Sequence, residues 1–168
     1  CQVRSHDGAQ YQGGCDGLTL HRGFILMTVE EAGVMERADI SSNVGGCAIL
    51  RKSMLTALGG YSPLYLPFYW EDLDLGMKAW RSGWRIAYRK QARVLHKHQS
   101  SIRSNFEKDF ICAIKTRNKY FFLWLHTRWG ARWRWRLGLP WHWLCETVSG
   151  GKTEWRGFRQ AWRERAKV

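Results

Sequence analysis

The sequence is short of acidic residues, prolines and paired cysteines. Against 27 Lys and Arg stand only 14 Asp and Glu. Three prolines in 168 residues exclude a proline-rich spacer or a low-complexity chain. The five cysteines, Cys1, Cys15, Cys47, Cys112 and Cys145, are odd in number and never spaced as CxxC. That argues against a zinc ribbon or a disulfide framework and fits reduced thiols in a cytosol. No apolar run approaches the roughly 20 residues that span a bilayer. No charged segment followed by an apolar one opens the chain, so no signal peptide is visible. The first residue is Cys1, and the expectation is a partial sequence.

What is present is the composition of a folded domain: 45% hydrophobic, 24% charged, and long enough for one real core. Eleven tryptophans and a formal charge of +13 are unusual. The charge is lopsided. Residues 1–100 hold twelve Lys/Arg against nine Asp/Glu, whereas residues 101–168 hold fifteen against five. A basic half points to an anionic partner such as lipid headgroups, nucleic acid or a phosphorylated substrate.

Residues 1–40 read as short extended pieces joined by Gly-rich turns. Val44 to Leu50 reads as a buried strand. Arg51 to Leu58 has helical spacing and stops at Gly59-Gly60. Tyr61 to Trp70, with two prolines and five aromatics, reads as an ordered loop. Glu71 to Ser82 is the clearest helix: three acids open it, Leu73, Met77 and Trp80 recur at helical spacing, and Gly83 stops it. Strands are expected over Trp84–Tyr88 and Ala92–Leu95. A long helix is expected from Ser104 to about Leu125, with Phe106, Phe110, Ile114, Phe121 and Leu125 on one broad face. A last basic helix runs from Glu154 to Lys167. This order supports an α/β layer architecture.

Two segments can carry chemistry. In Trp70-Glu71-Asp72-Leu73-Asp74, adjacent carboxylates sit at a loop-to-helix junction, where backbone N–H groups favour the ionised form. A carboxylate there can take a proton from a hydroxyl nucleophile. It can equally do ordinary helix capping, which the segment alone favours. In Val94-Leu95-His96-Lys97-His98, the imidazole of His96 can ligate a divalent metal or simply close a strand by hydrogen bonding.

Taken together, the blocks Gly45-Gly46-Cys47-Ala48-Ile49-Leu50, Leu58-Gly59-Gly60-Tyr61, Trp70-Glu71-Asp72-Leu73-Asp74-Leu75, Gly83-Trp84-Arg85-Ile86 and Val94-Leu95-His96 are more specific. In order and spacing the chain resembles the acceptor-side half of glycosyltransferase family 2. The likeness is strongest over about residues 43–101 and continues faintly through Arg117-Asn118-Lys119-Tyr120 and Gly157-Phe158-Arg159-Gln160-Ala161.

The resemblance implies an α/β fold: a partial GT-A, Rossmann-like domain over 1–101, followed by a basic, Trp-rich helical region over 102–168. It implies an inverting transfer of a sugar from a nucleotide-sugar donor to an acceptor hydroxyl, saccharide or lipid-linked, in cell-envelope polysaccharide or glycolipid synthesis. Asp72 would be the base and Glu71 its neighbour or an acceptor-binding group. Gly45 and Gly46 would let substrate approach the backbone. Trp70 would offer a platform for a sugar face or fill the core. His96 would help hold a divalent metal, Mg²⁺ or Mn²⁺, whose other ligands belong to a donor-binding half that this sequence lacks. Asp74 reads as structural. The fragment alone is expected to be inactive. Lys78 stands where the family often has Arg, and Lys90 where Pro is common.

Arg and Trp interleave from Arg128 to Trp143, a pattern that fits an anionic membrane surface or tryptophans packed on the domain with solvated arginines. The expected location is the cytoplasm, peripheral on the inner face of the membrane. Two rival classes remain. One is a nucleic-acid-binding module, for which no recognisable motif appears. The other is a non-catalytic relative that keeps the blocks for its fold.

Overall fold

The computed structural model describes residues 2–5, 11–13, 15–21, 24–30, 48–86, 93–96, 100–126 and 151–168. They fall into two compact units. The first comprises Cys1–Thr19, Leu26–Ser62 and Asp72–Ser100; the second comprises Leu20–Ile25, Pro63–Glu71 and Ser101–Val168. The loop before the acidic helix groups with the C-terminal helices.

In the first unit, β1 (Gln2–Ser5) lies between β2 (Tyr11–Gly13) and β5 (Arg93–His96). It runs antiparallel to β2 and parallel to β5, with Val3 opposite Val94 and Ser5 opposite His96. A parallel pair so far apart in sequence needs a long crossover, as α/β folds have. β3 (Cys15–His21) and β4 (Phe24–Glu30) form a separate two-stranded sheet.

Helix α1 (Lys52–Leu58) ends as its glycines predict. Gly59 is left-handed at φ 72°, its N–H reaches the Thr56 carbonyl, and that of Gly60 reaches Leu55 at 2.8 Å. This pair of bonds caps the last turn in the Schellman manner. Helix α2 (Glu71–Arg81) closes the same way: Gly83 has φ 80°, and Trp84 N–H reaches the Ala79 carbonyl at 3.0 Å.

Several expectations need correction. Ala48–Leu50 carry no regular structure and Ile49 is fully exposed, so the strand expected over 44–50 is not formed there. Trp84–Ile86 likewise carry no strand. On α2 the buried positions are Leu73, Asp74, Leu75, Gly76 and Ala79, while Trp80 is half exposed. A carboxylate with a partner of its own, Asp74, therefore sits on the inner face where a simple apolar stripe would exclude it.

The second unit is helical. The helix expected from Ser104 is broken: α3 (Ser100–Asn105) ends before α4 (Lys108–His126) begins. Asn105 Nδ2 donates to the Ser101 carbonyl at 2.6 Å, and the Ser104 hydroxyl donates to the same oxygen at 3.1 Å. Such side chains compete with the helical ladder and stop it. Phe106 and Phe110 stay largely exposed, so the buried face of α4 starts only at Ala113.

Helix α5 (Gly151–Glu164) packs along α4 and ends in a short 3-10 turn, Arg165–Lys167. Gly157 sets the closeness of that packing. A Cβ there would lie 2.5 Å from the Ala113 carbonyl oxygen and 2.6 Å from Thr116 Cβ. Ala161, fully buried, continues the small-residue face. Tyr120 meets Phe158 edge-on at 4.9 Å, and Trp124 meets Trp162 at 6.4 Å.

Candidate active site

The segment leading into α2 is held in an uncommon shape. It runs through a 3-10 turn at Pro63–Tyr65 and a cis Leu66–Pro67 bond. It then places Tyr69 and Trp70 in succession in the left-handed region, at φ 71° and 77°. For aromatic residues each such conformation costs about 1–2 kcal/mol. Neither residue is glycine, so the surroundings must impose the conformation. Strain of this kind gathers at functional sites.

Asn118 and Arg117 impose it. Asn118 is fully buried in the middle of α4. Its Nδ2 donates to the carbonyls of Tyr65 (2.7 Å), Phe68 (2.9 Å) and Tyr69 (2.9 Å). An amide carries two hydrogens, so one of them is shared. Its Oδ1 accepts from Arg117 Nε at 2.9 Å, and Arg117 Nη2 donates to the Leu66 carbonyl. Four backbone carbonyls of a five-residue stretch thus answer to two adjacent side chains of α4. The Arg117 guanidinium also stands 5.5 Å from the centroid of the Phe121 ring. Burial holds its pKa below the ordinary guanidinium range, and the nearby Glu164 charge partly offsets this.

The aromatics of the loop are divided between packing and exposure. Trp70 is buried, with its ring centroid 5.3 Å from that of Phe122. This burial is what the packing reading of Trp70 requires. Phe68 meets Phe106 and Tyr69 edge-on, each at 5.1 Å. Tyr69 stays half-buried, with the Lys115 ammonium 5.8 Å from its centroid. Desolvation raises its phenol pKa; Arg103 opposes that rise, and Cys112 and Glu71 add to it.

Glu71 and Asp72 open α2, and both are partly exposed. Asp72 Oδ1 accepts the N–H of Leu73 at 2.8 Å, so one of its oxygens serves the first turn of the helix. Asp74 is fully buried and pairs with Lys78 Nζ at 2.6 Å, one turn along the helix. His96 occupies the last position of β5. Gly45 and Gly46 lie outside the described residues. Among the described residues no three His, Cys, Asp or Glu side chains come together as a metal site.

Asn118 and Arg117 are the residues whose role sequence reasoning missed. The signal was there: an Asn four residues after Ile114 and three before Phe121 lies on the apolar face of a helix. A buried amide in such a place must have partners.

No protein-family model matches the chain, and no solved structure matches it. Two curated proteins do, both N-acetylglucosaminyl-diphospho-decaprenol L-rhamnosyltransferases, from Mycobacterium tuberculosis strains CDC 1551 / Oshkosh and ATCC 25618 / H37Rv. Each is 30% identical over 97 residues, which is 58% of this chain. The chain spans 29% of the length of these relatives. Over more than half its length, then, this chain is similar to a glycosyltransferase.

Proposed function

We propose that this chain is the acceptor-side portion of an inverting, family 2-like glycosyltransferase with a partial GT-A fold. The observation that carries the reading is the strained, doubly left-handed Tyr69-Trp70 turn. Buried side chains of α4 hold it immediately before the Glu71-Asp72 carboxylates. The similarity to rhamnosyltransferases supports the same reading.

In this reading Asp72 removes the proton from an acceptor hydroxyl. That oxygen bonds to the anomeric carbon as the carbon–oxygen bond to the nucleoside diphosphate breaks. The diphosphate leaves with the electron pair and the configuration inverts. Glu71 orients the acceptor. Gly45 and Gly46 border the sugar, and His96 contributes to a divalent cation, Mg²⁺ or Mn²⁺, completed by residues of an upstream donor-binding half. The donor is a nucleotide-linked rhamnose or hexose. The acceptor is a lipid-linked saccharide diphosphate, by analogy with the acceptor in the relatives' names. The enzyme works on the cytoplasmic face of the membrane, which Arg128 to Trp143, outside the described residues, helps it meet.

The test is a transfer assay on the full-length protein with a panel of nucleotide sugars and a polyprenyl-diphosphate saccharide. Asp72→Asn should lower kcat by about 10²- to 10⁴-fold with little change in donor KM. Near-normal turnover removes Asp72 from the role of base. A second reading, a non-catalytic relative, is favoured by the Asp72–Leu73 bond, which a carboxylate that only stabilises the first turn of the helix would also make. Absence of transfer with every donor in the wild type would support it.

A further inference from the structure

We propose that the outer face of α5 is a docking surface for bilayers that contain anionic phospholipid. The proposal stands independently of the transferase reading.

The rotation of α5 about its own axis is fixed. Gly157 and Ala161 press against α4, and no side chain larger than hydrogen fits at 157. The opposite side of the helix is therefore committed to face outward. It carries Arg156, Arg159 and Arg163, all exposed. None of the three makes an ion pair among the described residues. Both acids of α5 are turned away from this face. Glu154 approaches Lys119 at 3.7 Å, and Glu164 accepts from Gln160 Nε2 at 3.0 Å and from Lys167 at 2.9 Å. The helix thus separates its charges by side, and the outward side is cationic.

Beside the arginines run Trp155 and Trp162, which are 39% and 51% exposed. They lie seven residues apart, close to two full turns, so the indoles line up along the axis at one depth. A row of indoles edging a row of arginines on a convex helix matches a headgroup layer, where Trp sits at the interface and Arg pairs with phosphate.

The same rings are poorly disposed toward nucleic acid. Single-strand binding needs open aromatic faces on which bases stack, set in a groove. Trp162 has the Arg165 guanidinium 4.5 Å from its centroid, and Trp155 is stacked on Phe158 at 5.9 Å and 24°. One face of each ring is therefore taken, which leaves an interface contact better served than a base stack.

The experiment is co-sedimentation of the whole chain with two kinds of vesicle. One is pure phosphatidylcholine; the other contains about a third phosphatidylglycerol. The wild type should bind the anionic vesicles at low salt and leave them at high salt. Changing Arg156, Arg159 and Arg163 together to Gln should weaken that binding about a hundredfold, at roughly fivefold per arginine. The far-UV circular dichroism melt of this triple variant should be unchanged, because the three arginines are exposed. Trp155→Ser with Trp162→Ser should weaken binding further, with a lower melting temperature because both rings also pack on neighbours. Equal binding to neutral vesicles overturns the proposal. So does wild-type binding by the triple Gln variant, including the case in which only Arg→Gln changes at Arg128, Arg132, Arg134 and Arg136 abolish it. Displacement from vesicles by a single-stranded oligonucleotide held through the same arginines would assign the face to nucleic acid instead.

Discussion

Helices α2 and α4 each bury a polar side chain, but they satisfy it at very different range. Asp74 of α2 finds its partner four residues away, in Lys78. Asn118 of α4 finds its partners about fifty residues away, in the carbonyls of Tyr65, Phe68 and Tyr69. The first arrangement stabilises a helix that would form anyway. The second creates a loop conformation that would not persist alone, since two successive aromatics must stay at positive φ. A local pair decorates an element, and a distant one specifies a shape.

The sharpest way to break this contrast is at Asn118. Asn118→Asp keeps the volume but turns an acceptor toward three carbonyls, and should cost about 3 kcal/mol or more in urea unfolding. Asn118→Ala should cost somewhat less, about 2–3 kcal/mol, through carbonyls left without a donor. A loss below about 1 kcal/mol for either would mean that the loop holds its shape without the clamp. In the full-length protein both variants should abolish the transfer activity proposed above, and Arg117→Lys should weaken it, because one ammonium cannot reach Asn118 and Leu66 as the guanidinium fork does.

At the local pair the expected effects are smaller. Lys78→Met should destabilise by about 1–2 kcal/mol, discounted because the lysine is one-third exposed. Lys78→Arg should fall within about 0.5 kcal/mol of wild type. A Met variant as stable as wild type would show that Asp74 is content with its other surroundings.

The smallest effect belongs to Glu164, at the end of α5. Burial alone would raise its pKa, but the hydrogen bonds from Lys167 and Gln160, with the charges of Arg117 and Lys167, bring it below the ordinary 4.5. A depressed folded-state value means that the ionised form favours folding. This contribution is complete above the ordinary value and disappears as pH falls through the lower, folded one. Thermal melts should therefore show a small acid-side loss that Glu164→Gln flattens. An identical pH profile in the two proteins would remove Glu164 from the balance.

What the sequence made legible follows the same division. The glycine stops at Gly59 and Gly83, the acidic start of α2, the ordered loop after Tyr61 and the strand ending at His96 all rest on neighbours in the chain. Local rules therefore found them. The break at Asn105–Phe106 was also local, but the competing Ser and Asn side chains went unread beneath the apolar periodicity. The strand expected through Ala48–Leu50 failed because a short apolar run says nothing about whether a sheet receives it. At the candidate site, Glu71 and Asp72 stood out by spacing. The clamp did not, because its acceptors are backbone atoms and leave no mark in side-chain letters.

That blindness to side chains has a consequence for how the loop can vary. Because Asn118 and Arg117 grip only main-chain oxygens, the residues they hold are interchangeable as far as the grip is concerned. Leu66, well exposed at the crest of the clamped stretch, can be replaced without loosening it. The side chain displayed at this position can thus change while the scaffold beneath it stays as it is.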